Sequence, residues 1–213
     1  MEQKKINAAD LSPFMQQVTK DAEKAVAFTC SLVDKLKTLP PPTTLYINGV
    51  EWAHNRRASY VKLLFGWTGK VHLKVRRTDY DADELSNLST ETAIDIARTR
   101  LLRMSVDNPI KDFNWDQLRR AALDDIQSAA DYCETLDQAL QKITPPTKIS
   151  AFKSYSDSIT RGCWDLEWGT GEQRLELTVH ACRQLILKFP GSDKLFLWNA
   201  NEAVELISLH TLN

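Results

Sequence analysis

From Leu11 to Leu39 apolar or small residues return in alternating steps of four and three: Leu11, Met15, Val18, Ala22, Ala25, Thr29, Leu32, Leu36 and Leu39. This spacing draws one stripe along a helix, long enough to resemble a coiled-coil seam. Ser12 offers a capping hydroxyl and Pro13 suits the first helical position. Pro40, Pro41 and Pro42 end the helix before Thr43, because proline removes a donor and disfavours helical geometry in the residue before it.

The same device returns. Asn114 and Gln117 form a capping pair, Leu118, Ala122, Ile126, Ala129, Cys133, Leu136, Leu140 and Ile143 form a second stripe, and Pro145 and Pro146 close it. Pro41 and Pro145 stand 104 residues apart, and that offset lays Phe14 on Leu118, Ala25 on Ala129 and Leu36 on Leu140 without a gap. It also lays Val71, Leu73 and Val75 on Leu175, Leu177 and Val179, and an offset of 110 lays Glu91–Ile96 on Asn201–Leu206. Two proline-stopped amphipathic helices also arise by chance, so the echo is an expectation of internal duplication and rests on the spacing alone.

Between the helices the period changes to two. Leu45–Trp52 predicts a hairpin turning at Asn48–Gly49, and Tyr60–Trp67 with Lys70–Arg77 predicts a second turning at Thr68–Gly69. Val71, Leu73 and Val75 alternate with Lys70, His72, Lys74 and Arg76, so this sheet has one apolar and one basic face. Thr78–Ser89 turns acidic and predicts a loop or a broken helical turn, after which Ser89 caps a helix with the stripe Ala93, Ile94, Ala97, Leu101 and Met104. Ser105–Asn114, with Asn108–Pro109, predicts the boundary between halves. Beyond the second long helix, strands are expected at Lys148–Lys153, Ile159–Trp168, Arg174–Cys182, Gln184–Phe189 and Lys194–Trp198, and a closing helix capped by Asn201.

The expected fold is α+β: antiparallel β-sheets with long amphipathic helices packed on one face, as two similar halves, 1–107 and 108–213, sharing one compact unit. Short turns join successive strands, which disfavours an alternating parallel sheet. The 213 residues suffice for a proper core.

Composition narrows the function classes. A net charge of −1 and a pI near 6.4 supply no overall field for nucleic acid or an anionic membrane, so any such partner is met by a local patch. Lys4 and Lys5 lead into no signal-peptide core, and no apolar run crosses a bilayer, so a cytoplasmic location is expected. The seven glycines form no phosphate loop.

Three constellations are candidates for chemistry. The basic hairpins carry Arg56, Arg57, Lys62, Trp67, Lys70, His72, Lys74, Arg76 and Arg77, interleaved with Trp52, Tyr60 and Phe65, a pattern that can hold phosphates and stack bases. It is also the pattern of a solvated sheet face with its rings buried beneath. Cys163, His180 and Cys182 could form a thiol–imidazole pair if His180 and Cys182 share a strand face, but no CxxC and no orienting third residue accompany them. Asp79, Asp81, Asp83 and Glu84 alternate like a calcium loop but lack its central glycine and closing glutamate.

With no catalytic constellation, cofactor motif or metal set, the expected function is a non-enzymatic protein-binding module: an inhibitor, adaptor or assembly factor with a regulatory role. Its partner is another protein, met through an exposed sheet face or helix, and the first helix's seam could also form a homodimer. A nucleic-acid-binding protein using the face 54–77 is the alternative, and a small Cys/His-dependent hydrolase or transferase the third reading.

Overall fold

The computed structural model describes residues 11–54, 59–67, 69–78, 81–153 and 163–211. Its elements are α1 (Pro13–Leu36), β1 (Thr44–Tyr46), β2 (Gly49–His54), β3 (Ser59–Phe65), β4 (Val71–Thr78), β5 (Asp81–Leu88), α2 (Thr90–Leu101), α3 (Trp115–Leu140), β6 (Lys148–Lys153), β7 (Cys163–Trp168), β8 (Leu175–His180), β9 (Leu185–Lys188), β10 (Lys194–Leu197) and α4 (Ala200–Thr211). The fold is α+β, with two five-stranded antiparallel meanders in the orders β1-β2-β3-β4-β5 and β10-β9-β8-β7-β6. Among the described residues no helix is long and apolar enough to cross a membrane.

The chain condenses into two compact units. Unit A runs from Lys24 to Ile126; unit B takes the described residues up to Glu23, from Gln127 to Lys153, and beyond Gly162. The dividing line passes through both long helices, whereas the halves 1–107 and 108–213 are each continuous in sequence. Ser105–Asn114 belongs wholly to unit A, where the Asp107 N–H donates to the Ala53 carbonyl and the Ile110 N–H to that of Pro42.

Helix starts follow local chemistry. The Met15 N–H donates to Ser12 Oγ at 3.1 Å, the Thr92 N–H to Ser89 Oγ at 3.2 Å, and the Asp116 N–H to Asn114 Oδ1 at 2.9 Å. The last helix is capped by Asn199, whose Oδ1 accepts from the Asn201 N–H at 2.9 Å, two positions before the cap that the sequence suggested. α1 ends at Leu36; Thr38 and Leu39 then donate to the Lys35 and Leu36 carbonyls, which brings Leu39 into the core before the prolines.

In unit A one apolar cluster gathers Leu32, Val33 and Leu36 of α1, Val61, Leu63 and Phe65 of β3, Val71, Leu73 and Val75 of β4, Ala93, Ile94 and Ala97 of α2, and Leu118 and Ala122 of α3. Strand alternation explains it, since every second residue of β3 and β4 faces this side. α2 lies against β3 and β4. Ion pairs link the last turn of α1 to the first of α3: Lys37 Nζ meets Asp116 Oδ1 at 3.1 Å, and Arg119 meets Asp34. The hydrogen bond from Lys37 holds the Asp116 carboxyl below its ordinary value.

Unit B is built with comparable parts. Trp164, Leu166 and Trp168 of β7, Leu175, Leu177 and Val179 of β8, and Leu185 and Leu187 of β9 are buried with Ala203, Val204 and Ile207 of α4. Phe14 meets Trp164 edge-on, centroids 6.3 Å apart, and the Trp164 indole N–H donates to Asp21 Oδ2 at 3.1 Å. Burial pushes the Cys133 thiol and the Tyr132 hydroxyl each up to about 12.

Three sequence expectations are corrected. Thr78–Ser89 is neither loop nor helical turn: residues 81–88 form edge strand β5, paired antiparallel with β4 through Lys74↔Glu84 and Val75↔Asp83. Glu84, facing Lys74 across the ladder and within reach of His72, gives this acidic stretch a partner that offsets the low strand propensity of Asp and Asn. The first hairpin turns at Ile47–Asn48, not Asn48–Gly49, because Tyr46 pairs with Gly49. Gly49 has no positive φ; a Cβ there would stand 2.4 Å from the Leu63 carbonyl oxygen, so close approach of β3 demands the glycine. Finally, Val71–Val75 occupy the fourth strand of their sheet and Leu175–Val179 the third of theirs, so the 104-residue offset matches unlike strands.

Candidate functional site

The outer face of unit A's sheet is a charge ladder. Register sets Glu51, Lys62, Lys74 and Glu84 side by side on β2 to β5, opposite in sign at both ends. Lys62 Nζ lies 4.0 Å from the centre of the Tyr46 ring, and the Tyr46 hydroxyl donates to buried Glu51 Oε2 at 2.9 Å. Glu84 takes two of the basic candidates: His72 Nε2 at 2.8 Å and Lys74 Nζ at 3.7 Å. His72 is itself buried and bonds Ser86 through Nδ1. Two members of the basic face, His72 and Lys74, thus meet a carboxylate of the strand that the sequence suggested to be a loop.

The remaining candidates are distributed otherwise. Trp67 is 4% exposed and Trp52 and Phe65 are buried with the core, so these rings lie away from solvent. Lys70 is exposed at the β3–β4 turn. Arg56, Arg57 and Asp79 lie outside the described residues, and of Arg77 and Asp81 only the strand placement is described.

Arg76 lines a cavity of about 320 Å³ with Ser59, Tyr60, Val61, Val75, Arg100, Arg103 and Met104. Tyr60 and Arg76 are cross-strand partners, and the end of α2 brings Arg100 and Arg103 to the same place. Three arginines with a serine and a tyrosine line one hollow, a residue set of the kind that takes a phosphate or carboxylate, which planar, multi-donor arginine recognises well. The hairpin pattern could not show Arg100 and Arg103, which lie on the next helix. Their signal was Leu101 on the buried stripe, with Arg100 beside it.

The thiol–imidazole candidate separates. Cys163 and His180 are cross-strand partners on β7 and β8, and Cys163 is fully buried. β8 ends at His180, however, and Cys182 sits exposed in the following turn, where Arg183 has φ +69°. His180 and Cys182 therefore do not share a strand face: the chain reverses as the His180 N–H donates to the Gln184 carbonyl. Among the described residues no three His, Cys, Asp or Glu side chains group as metal ligands.

The place of β10 at the edge of unit B's sheet, among the described residues, carries no local sequence signal. Among the described residues β10 pairs with β9 alone, and beyond Lys194 it carries Leu195, Phe196 and Leu197 into Trp198. Leu195 is 41% exposed, Phe196 60% and Trp198 65%. The opposite extreme is β5, an edge strand with exposed Asp83 and Glu84 and two register irregularities, both features that discourage strand addition. β10 has a regular register and no acid or base after Lys194. The run Lys194–Trp198 read plainly as a strand; its place at the edge depends on the sheet order.

No known protein family, curated protein or solved structure matches this chain.

Proposed function

We propose that this protein is a non-enzymatic binding module, acting as an inhibitor, adaptor or assembly factor, that engages another protein by adding an extended segment of it to the free edge of β10. One observation carries the reading: an open, regular edge strand that presents Phe196 and Trp198 to solvent. Backbone pairing at such an edge supplies affinity, alternate side chains supply selectivity, and aromatic anchors dominate interface energetics. A cytoplasmic, regulatory setting goes with this reading.

The test is photo-crosslinking from position 195, which leaves Phe196 and Trp198 free to vary, in host lysate, combined with hydrogen exchange of the purified complex. The expected result is one dominant partner, slowed exchange across residues 194–198, and loss of both in Phe196→Lys and Trp198→Ser. Equal capture by wild type and both variants removes the proposal.

The arginine cavity supports a second reading, in which unit A holds an anionic group of a partner or of a nucleic-acid backbone. Arg76, Arg100 and Arg103 line that cavity, while on the flat face Glu84 meets His72 and Lys74 and the Trp52 and Phe65 rings are buried.

We further infer that the two sequence halves, α1 to α2 and α3 to α4, descend from one duplicated ancestor. What supports this is the shared order of long helix, five-stranded meander and 12-residue helix, and repeated local bonding. Trp52 Nε1 donates to the Pro40 carbonyl and Trp168 Nε1 to that of Thr144, each acceptor standing just before the second of the prolines that aligns 104 residues apart or its equivalent.

A further inference from the structure

We infer that unit B contains a binding site for a small hydrophobic amine, with the Asp137 carboxylate receiving the ammonium group and an apolar cavity receiving the body. The cavity measures about 290 Å³ and lies where the start of α1, the end of α3 and β6 meet; Phe14, Leu140, Ile143, Ile149 and Leu166 supply its walls. Asp137 also lines it and is 6% exposed.

The carboxylate is held by neutral donors. The Ser12 hydroxyl donates to Oδ1 at 2.5 Å and the Gln141 amide to Oδ2 at 2.9 Å. Ser12 also accepts from the Met15 N–H, so its hydroxyl is fixed in direction. Among the described residues no Lys, Arg or His pairs with Asp137. A carboxylate offers about four acceptor positions, and two remain. Buried charges are ordinarily paired, because taking a lone charge out of water is costly. The Asp137 carboxyl lines the hollow, so an ammonium group entering it would make such a pair.

An apolar residue stands at the same distance from the end of the other long helix. Asp137 stands three residues before Leu140, the last of α3; Val33 stands three before Leu36, the last of α1, and is fully buried in unit A's core. Unit A has a valine three residues before its helix end, whereas unit B has a carboxyl that lines a cavity. At roughly 30 Å³ per small non-hydrogen group, as for water, the hollow holds about ten such atoms, the size of an aryl-ethyl amine.

The experiment titrates the full chain with 2-phenylethylammonium and with its neutral analogue 2-phenylethanol, read by calorimetry and by methyl NMR of Ile143, Ile149 and Leu166. The amine is expected to bind about ten-fold more tightly than the alcohol, since a charge-assisted hydrogen bond is lost in the latter. Asp137→Asn should erase that preference while leaving alcohol binding in place. Ile143→Trp, which fills the hollow and leaves the carboxylate and its donors intact, should abolish binding of both and guards against a folding defect in the first variant. Equal affinity for amine and alcohol in wild type, amine binding without shifts of the three methyl groups, or undiminished binding in Ile143→Trp would each overturn the assignment.

Discussion

Thr43 and Glu51 are bonded twice, the Thr43 backbone N–H and hydroxyl both donating to the Glu51 carbonyl, at 2.8 and 2.9 Å. The same hydroxyl accepts from the Ala53 N–H at 3.1 Å, so one side chain pins the proline segment to β2. Thr43→Val keeps the shape and removes both side-chain bonds; urea unfolding should show a loss of about 1–3 kcal/mol, as expected when buried backbone groups lose partners. Thr147 makes the corresponding pair of bonds to the Glu167 carbonyl, at 2.8 and 3.0 Å, and Thr147→Val should cost about 1 kcal/mol.

Gly49 and Gly69 answer differently to alanine. Gly69 has φ +68° and nothing within 4 Å of a built Cβ, so Gly69→Ala should cost about 1 kcal/mol of backbone strain. Gly49→Ala forces a methyl onto the Leu63 carbonyl and should cost about 1–3 kcal/mol or part β2 from β3. Thermal unfolding of both variants should rank Gly49→Ala below Gly69→Ala.

Stability should fall in alkali. The Cys133 thiol keeps its proton to about 12 in the folded chain against 9.0 ordinarily, so between these values the native state holds more protons than the unfolded one. Each such group then subtracts about 1.4 kcal/mol per pH unit as pH rises. Urea unfolding between pH 8 and 11 should show this decline, and Cys133→Ala should flatten its slope.

The same burial predicts thiol reactivity. At pH 8 iodoacetamide should label exposed Cys182 first, and Cys133 and Cys163 only after unfolding, because the thiolate is the reactive form. Mass spectrometry of the labelled peptides gives the order.

If the arginine cavity takes an anion, inorganic phosphate should raise the midpoint of thermal unfolding. Ten times the dissociation constant stabilises by about 1.4 kcal/mol. Arg100→Ala with Arg103→Ala should remove that gain and leave the midpoint in chloride nearly unchanged.

Helix starts were legible because a cap is written in adjacent residues: Ser12, Ser89 and Asn114 hold the bonds that their spacing implies. Strand β5 was not legible, since Asp83 and Glu84 are drawn into a sheet by Val75 and Lys74 on another strand. The equivalence of Val71–Val75 with Leu175–Val179 misled for a related reason: alternation marks a buried face but not a place in the strand order. Arg100 and Arg103 reach Arg76 only through the packing of α2 on β3 and β4. The basic hairpins were read correctly as strands with one apolar side, while the partner of their charges lay in the stretch read as a loop.

Because the dividing line runs through α1 and α3, the order in which a ribosome delivers the chain matters. Every described residue of unit A has emerged once Ile126 has, and these elements can begin to pack while later residues are still being added. The first turns of α1 cannot do the same: Ser12 bonds Asp137, 125 positions later, and Phe14 packs on Trp164. Their apolar stripe, with Phe14 and Val18, therefore stays without its native cover through most of synthesis, a long exposure for a newborn chain and a natural point for a chaperone to hold it.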